Sequence, residues 1–384
     1  MSALRKPLQW PTWPKYNSEH ENAVLRVIRS NQLYAATEVR LFEHEFSEYT
    51  GSKYAIGVGN ATQGLHLALA ALGIGPGDEV IVTPYSWVSS ASCVLMQGAI
   101  PVFVDIEAET FGLDPFRVED AISPRTKAVI LVHMFGLPAK VKEIYDVCSR
   151  HGIFLIEDAS HAHGAIDNAK HLGSFGAVGV FSLHQRKAIS TGDGGILITG
   201  DTVIYDKLRR MRSFGADRLS YNYRMTEFSA ALARIGLSHL DRDNMRREEN
   251  HKLLLNNLRS QKARVIQGRP DTKPVFYSNL IDLDLPYDSQ QQVLFRCNEA
   301  GIPLKRTWQP LNKHPHFKRE NMPNKAAPWD CISSIFVEPK DRNLSVSLEF
   351  QERRLFELDC HPLVPQEDVV QAAAFISVAC DEAT

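Results

Sequence analysis

The sequence predicts an α/β protein built on a mostly parallel, helix-covered sheet. Two observations carry this reading: short β-branched runs alternate with helical stretches across the first 200 positions, and polar residues of chemical interest fall just past the ends of those runs. The chain has 384 residues, enough for a large core and a second domain.

Residues 20 to 48 read as helix with an interruption near Asn31, and Leu41 to Tyr49 is amphipathic. Tyr54-Ala-Ile-Gly-Val is a strand and Ala61 to Leu72 a helix. Glu79-Val-Ile-Val-Thr is a strand stopped by Pro84, and Ser89 to Met96 is helical. Gly-Pro-Gly-Asp78 is a turn whose glycines need no ligand to explain them. Pro101 to Asp105, Thr126 to His133, Ile153 to Glu157, Val178 to Ser182 and Gly195 to Thr199 are further strands, with a helix over Lys140 to His151. Thr226 to Leu254 is a long helix. Beyond about 250 the pattern is a smaller α+β region, with strands expected over Leu280 to Leu285 and Leu344 to Phe350 and a last helix over Gln366 to Ala379.

Charge and composition narrow the function. Apolar residues are 44%, charged residues 23% and net charge is -2, so nothing steers the chain toward nucleic acid or an anionic membrane. Met1-Ser-Ala-Leu-Arg-Lys-Pro does not continue into an apolar signal segment and no 18-residue apolar run follows, which leads to the expectation of a cytoplasmic protein. The six cysteines (Cys93, Cys148, Cys297, Cys331, Cys360, Cys380) are scattered and read as buried thiols in a reducing compartment. His161 and His163 have no second ligand pair at zinc spacing.

The chemistry centres on Phe181-Ser-Leu-His-Gln-Arg-Lys187-Ala-Ile-Ser-Thr-Gly-Asp-Gly-Gly195, which puts a lysine between a strand and a Gly-rich turn. Such a lysine is a candidate for covalent chemistry with a carbonyl, although a solvated surface lysine is the commoner outcome. If the carbonyl is a cofactor aldehyde, three further features should accompany it: a phosphate seat, a carboxylate for a ring nitrogen, and a flat side chain to stack on the ring. Gly59-Asn60-Ala61-Thr62-Gln63-Gly64 opens a helix, and its free N–H groups and dipole suit a phosphate, while an ordinary cap is the plain alternative. The spacing is neither that of a dinucleotide fingerprint nor of a P-loop. Trp87 follows a strand among small polar residues and is either a stacking face or a core residue. Glu157-Asp158 ends a strand, where a buried aspartate needs a partner such as a pyridinium nitrogen; a solvated acidic pair is the alternative.

Taken together, six pieces in order resemble the DegT/DnrJ/EryC1/StrS family of pyridoxal-phosphate sugar aminotransferases. They are Asn60-Ala-Thr, Pro84-Tyr-Ser-Trp87, Glu157-Asp-Ala-Ser-His-Ala-His-Gly164, Ser182-Leu-His-Gln-Arg-Lys187, Gly192-Asp-Gly-Gly195 and Tyr221-Asn-Tyr-Arg-Met225. The resemblance implies a fold type I, aspartate aminotransferase-like architecture: a large domain with a mostly parallel seven-stranded sheet (residues 31–250), a smaller C-terminal α+β domain (251–384), and an N-terminal segment (1–30) near the small domain. It implies that Lys187 forms a Schiff base with pyridoxal phosphate and that Asp158 partners the pyridine nitrogen. Trp87 would stack on the ring and His161 would lie near its 3-hydroxyl. Ala61, Thr62 and Ser182 would bind the phosphate, joined by Asn222 from a neighbouring subunit of a homodimer. Arg224 is a weaker match, to a donor-carboxylate partner or a structural residue.

The same resemblance implies a two-stage amino transfer from L-glutamine or L-glutamate to a ketone. Lys187 stands where dehydratase-like relatives carry histidine, which favours transamination. Trp10-Pro-Thr-Trp13-Pro resembles the start of members acting on keto-cyclitols, though such a segment could also merely pack the terminus. The expected acceptor is therefore a keto-cyclitol or keto-sugar of a secondary-metabolite pathway. A nucleotide-linked keto-hexose is the main alternative, with Lys305, Arg306, Lys313, His314 and His316 as possible diphosphate partners. A non-catalytic regulator or scaffold is the other class considered, and no part of the catalytic set is missing. Two departures stand out. Asn-Ala-Thr replaces the usual Ser/Asn-Gly-Thr, which would strain Ala61 only if that position required positive φ. Between Phe317 and Phe350 the family pattern is hard to follow, with Trp329, Lys340 and Asp341 in unfamiliar context.

Overall fold

A computed structural model describes residues 6–34, 36–214, 220–318 and 343–383. Cys331, Trp329, Lys340 and Asp341 lie outside the described residues. The first part of the chain forms strands β1 (Tyr54–Val58), β2 (Glu79–Val82), β3 (Ile100–Phe103), β4 (Thr126–Val132), β5 (Phe154–Asp158), the short β6 (Ile166–Asp167) and β7 (Lys170–His171), β8 (Val178–Ser182) and β9 (Gly195–Thr199). Seven of these make one sheet in the order β1-β9-β8-β5-β4-β2-β3. Pairing is parallel from β3 through β8, and β9 runs antiparallel to both its neighbours. Every residue of β2, β3, β8 and β9 is buried. That is why these strands read as continuous apolar runs rather than alternating ones: helices cover both faces.

Helices Ser18–Ser30 and Thr37–Thr50 replace the expected interrupted helix, separated at Asn31, whose φ of 57° ends the first. Helix Ala61–Ala71 lies on the sheet so closely that a Cβ on Gly64 would sit 2.9 Å from Val180 Cγ1. The ends of β4, β5 and β8 share one edge because they run the same way, and open parallel sheets bind ligands along that edge.

The later part supplies β10 (Ala263–Val265), β11 (Thr272–Lys273), β12 (Asn279–Leu283), β13 (Lys305–Arg306) and β14 (Leu355–Leu358). Four form an antiparallel sheet in the order β10-β12-β14-β13, while β11 joins β6 and β7. Helices Tyr287–Glu299 and Gln366–Glu382 contribute Val293, Cys297, Val369, Ala373 and Ile376 to the core of this sheet. The expected division at residue 250 falls inside one continuous helix, Glu227–Asn257. Its Ala230 and Ala233 pack into the core of the seven-stranded sheet and its Leu254 into that of the four-stranded sheet.

One expected strand is absent. Leu344 to Phe350 alternates apolar and polar residues as a strand would, yet Ser345–Leu348 is α-helical and continues as a π-helix over Glu349–Arg354. The buried Asp105 explains the difference: its carboxylate accepts from Val346 N (2.8 Å) and Ser347 N (2.9 Å), satisfying N–H groups at the helix start. The strand expected there begins later, as β14. No helix among the described residues is long and apolar enough to cross a membrane.

Candidate active site

The turn after β1 shows how the sequence builds an anion seat. Asn60 is extended (φ -167°) and its side chain accepts from Gln63 N at 2.9 Å, which leaves the first N–H groups of helix Ala61–Ala71 pointing outward. Ala61 takes the first helical position and has no positive φ, so alanine is unstrained there. Thr62 Oγ1 lies 2.7 Å from Ser89 Oγ, joining this helix start to that of helix Ser89–Met96. The end of β9 nearest the turn must be glycine. A Cβ on Gly195 would lie 2.7 Å from the carbonyl carbon of Asn60 and 2.8 Å from Ala61 N. Ser182, buried at the end of β8, pairs in register with Gly195 and so faces the same edge.

Asp158 ends β5 and is 5% exposed. One carboxylate oxygen accepts from Ser90 Oγ at 2.7 Å and the other from Ser160 N at 3.2 Å. Ser90 is in turn 2.7 Å from Ser86 Oγ, so a short hydroxyl chain orients the acid. Its neighbour Glu157 points to the other side of the strand and serves the fold: it accepts from the N–H groups of Gly173, Phe175 and Gly176, each at 2.7 Å, and lies 3.1 Å from His133 Nε2. The acidic pair in the sequence is thus two residues with separate surroundings.

Lys187 follows β8 in a loop closed by Gln185 N–Gly192 O (2.9 Å) and Thr191 N–Leu183 O (2.9 Å). Its Nζ stands 5.0 Å from the centre of the Tyr277 ring. Burial lowers its proton affinity to about 8, with Arg186 adding to the effect while Asp158 and Glu357 pull the other way. A neutral amine is therefore accessible near physiological pH.

His161 stacks on Tyr277, with centroids 4.3 Å apart and planes inclined by 10°. Burial, then Lys187 and His163, holds it neutral, far below the usual histidine range. Its Nδ1 accepts from Phe135 N at 3.3 Å, which places the neutral ring's proton on Nε2. Trp87 is 59% exposed, so it is not a core residue, and it meets Trp308 edge-on at 5.7 Å. Trp308 also lies 5.7 Å from His161, extending the aromatic wall.

Asn222 stands apart. It is exposed, bridges to Ser213 through the backbone, and makes no side-chain hydrogen bond among the described residues. Arg224 lies between the Tyr34 and Phe214 rings, 5.1 and 5.4 Å away, and donates to Ser213 Oγ at 3.3 Å. Four site-lining residues were missed in the sequence. Ser90 sits three residues after Trp87 in a serine-rich helix start and could have been found from that spacing. Tyr277, Trp308 and Glu357 carry no local signal. Glu357 is 5% exposed on β14, opposite Lys305 of β13, whose Nζ pairs with it at 2.5 Å. Burial raises the Glu357 carboxyl against the pull of Lys305.

These groups fit pyridoxal phosphate: a helix-start anion seat, a buried carboxylate with no ion-pair partner among the described residues, and a lysine whose buried amine has lowered proton affinity and senses that carboxylate. They define a pyridoxal-phosphate-dependent enzyme of fold type I. The chain belongs to the DegT/DnrJ/EryC1/StrS aminotransferase family, whose model matches residues 14–334. Pyridoxal phosphate is its cofactor and amino transfer its class of reaction. It is 35% identical over 338 residues to an L-glutamine:2-deoxy-scyllo-inosose aminotransferase of Streptomyces kanamyceticus, covering 80% of this chain and 79% of that one. It is 37% identical over 274 residues to a dTDP-3-amino-3,4,6-trideoxy-alpha-D-glucose transaminase of Streptomyces venezuelae, covering 69% and 72%. Among solved structures, 3-amino-5-hydroxybenzoic acid synthase superposes with a TM-score of 0.85 at 28% identity, covering 98% of this chain and 100% of that one.

Proposed function

We propose that this aminotransferase moves an amino group from L-glutamine or L-glutamate to a keto-cyclitol or unactivated keto-sugar. The observation that carries the chemical part is the Lys187 amine, buried where it senses Asp158 and tuned to about 8. Bound pyridoxal phosphate supplies an aldehyde that amines can bond and a ring that withdraws electrons from the adjoining carbon. Lys187 would hold the cofactor, and its Nζ, when free as the neutral amine, would take the donor's Cα proton and return one to the acceptor carbon. Asp158 keeps the ring nitrogen protonated, and the Ser90 bond keeps that carboxylate in place. His161 would offer its Nε2–H to the ring hydroxyl, Trp87 would stack on the ring, and Ala61, Thr62 and Ser182 would receive the phosphate. Asn222, whose side chain makes no hydrogen bond among the described residues, fits a phosphate contact made across a homodimer.

Glu357 supports the choice of acceptor. Its carboxylate acts on Lys187 from the small-sheet side of the cleft, a poor setting for a diphosphate. Two of the cations considered for such a group are engaged elsewhere: Lys305 pairs with Glu357, while Arg306 donates to Gln290 Oε1 at 2.7 Å and lies over Tyr287 and Phe356. The name of the Streptomyces kanamyceticus relative points the same way, and that of the Streptomyces venezuelae relative supports the nucleotide-linked alternative.

The deciding experiment presents the holoenzyme with L-glutamine or L-glutamate and, in parallel, a keto-cyclitol or a nucleotide-linked keto-hexose, and measures the amine product by mass spectrometry. Product from the cyclitol is expected; product from the nucleotide-linked sugar alone would replace this reading with its rival. For the shared site, mixing inactive Lys187→Ala and Asn222→Ala subunits should restore about a quarter of wild-type activity, because half of randomly paired dimers carry one intact composite site. No restoration would remove Asn222 from the neighbouring site.

A further inference from the structure

The segment around Trp10-Pro-Thr-Trp13-Pro has two indoles that face different ways. Trp10 belongs to a docking contact. Its Nε1 donates to Asp359 O at 2.9 Å, Leu8 N donates to Ala300 O at 2.9 Å, and His361 Nε2 lies 2.9 Å from Pro11 O. These bonds attach the segment to loops leaving the four-stranded sheet and its helix.

Trp13 reaches the lysine instead. Its Nε1–H donates to the main-chain carbonyl of Lys187 at 3.0 Å, across 174 positions of sequence. The indole also lies 5.1 Å from the guanidinium of Arg247, a side chain only 1% exposed. Arg247 Nη1 donates to Tyr277 O at 3.2 Å, and the Tyr277 ring is the one 5.0 Å from Lys187 Nζ. A closed path of contacts thus leaves the Lys187 main chain, passes through Trp13, Arg247 and Tyr277, and returns at the amine. Three residues further on, Tyr16 OH lies 2.9 Å from Ser190 Oγ, which donates to Gln185 O at 2.7 Å. The segment therefore holds the lysine loop at two points.

We infer that Trp13 is a positioning residue for the transamination centre, fixing the Lys187 backbone and, through Arg247 and Tyr277, the wall against which its amine lies. The inference rests on Lys187 being the lysine that bonds the cofactor. A lysine side chain is long and flexible, so the placement of its amine depends on the placement of its own main chain. Small misplacements of a reacting group are costly in rate even where binding is unaffected.

The test compares two matched deletions of an indole N–H, Trp13→Phe and Trp10→Phe, in the full-length protein. Each cofactor-free variant is mixed with saturating pyridoxal phosphate and quenched with borohydride at intervals. The amine bonds to the aldehyde with loss of water, and reduction fixes the added mass on the lysine peptide. Total bound cofactor is measured separately by ultrafiltration. Trp13→Phe should slow labelling of Lys187 about tenfold while total binding stays at the wild-type level. Trp10→Phe should label at the wild-type rate. A wild-type rate in Trp13→Phe, or equal slowing in Trp10→Phe, would overturn the positioning role and leave only terminus packing. Label found on another lysine in the wild type would instead overturn the assignment of Lys187, a distinguishable failure. If Trp13→Phe does not fold, Tyr16→Phe carries the same test by releasing the bond to Ser190, with slowed labelling expected and a wild-type rate counting against the clasp.

Discussion

Two walls meet at Lys187, and they are built in opposite ways. The wall from the seven-stranded sheet takes Asn60, Asp158, His161, Ser182 and Lys187 from strand ends and the turns just beyond them, so strand order and direction bring them to one edge. The opposite wall takes Tyr277, Trp308 and Glu357 from a strand and two connecting segments, 80 or more positions later in the chain, and only tertiary folding presents them. On the function proposed above, the first wall would carry groups that any transamination needs, and the second would carry groups that meet what differs between acceptors. Substitutions on the first should therefore abolish or slow the reaction with every acceptor, and substitutions on the second should change which acceptor is used.

The largest effect is expected at Lys187. Lys187→Ala should remove the borohydride-fixed mass and lower turnover by about 10^4-fold or more, because both the covalent tether and the proton carrier are lost. Turnover within tenfold of wild type would dissolve the division between the walls, since the first would then lack its chemical centre. Next comes Asp158→Asn, which keeps the hydrogen-bonding shape and removes the charge. Single-turnover rates should fall about 10^2- to 10^3-fold with every acceptor tested. Glu157→Gln makes a sharp contrast, because Glu157 accepts three backbone N–H groups away from the site. It should lower the melting temperature and leave the single-turnover rate of the folded enzyme near wild type.

The same contrast explains what could be read in the sequence. The strands of the large sheet are buried on both faces, so their apolar runs are unmistakable, and the site residues beyond them lie at spacings set by strand length. The alternating run from Leu344 to Phe350 shows the limit of that kind of reading. Its pattern is that of a strand, but Asp105, 241 positions before Val346, caps it as a helix. No local signal contains that partner. Tyr277 is equally silent, because its relation to Lys187 exists only once the chain from 273 to 278 has passed back over the edge of the large sheet, where Val275 N bonds Gly136 O at 3.0 Å. Trp13 was visible as a motif, yet its bond to Lys187 O was not, since nothing in the sequence distinguishes its N–H from that of Trp10.

A smaller and more selective effect is expected on the second wall. Glu357→Gln removes the carboxylate charge and leaves Lys305 without its ion-pair partner. The KM for a neutral keto-cyclitol should rise about tenfold with kcat changed less, and any activity toward a phosphorylated acceptor should improve. An equal loss of kcat with all acceptors would place Glu357 in the chemistry and break the comparison.

The smallest effect is a shift in pH dependence, and it tests both walls together. In the cofactor-free chain the Lys187 amine titrates near 8 instead of 10.5. Below about 8 it is protonated in folded and unfolded chains alike, and the folded state bears the full penalty of burying that charge. Between about 8 and 10.5 the unfolded chain holds more protons at this site, so its contribution to stability rises with pH and levels off above 10.5. Denaturation midpoints of wild type relative to Lys187→Met should follow this course, and a flat difference across the window would contradict it. The rate of cofactor capture by Lys187 should likewise rise about tenfold per pH unit at low pH and flatten above about 8, the folded amine's own value. Asp158 on one wall and Glu357 on the other both pull that value upward against burial. Asp158→Asn and Glu357→Gln should therefore each move the break in the capture profile to lower pH, although only the first should slow every acceptor. A break that moves in Asp158→Asn and stays put in Glu357→Gln would show that the amine senses one wall alone.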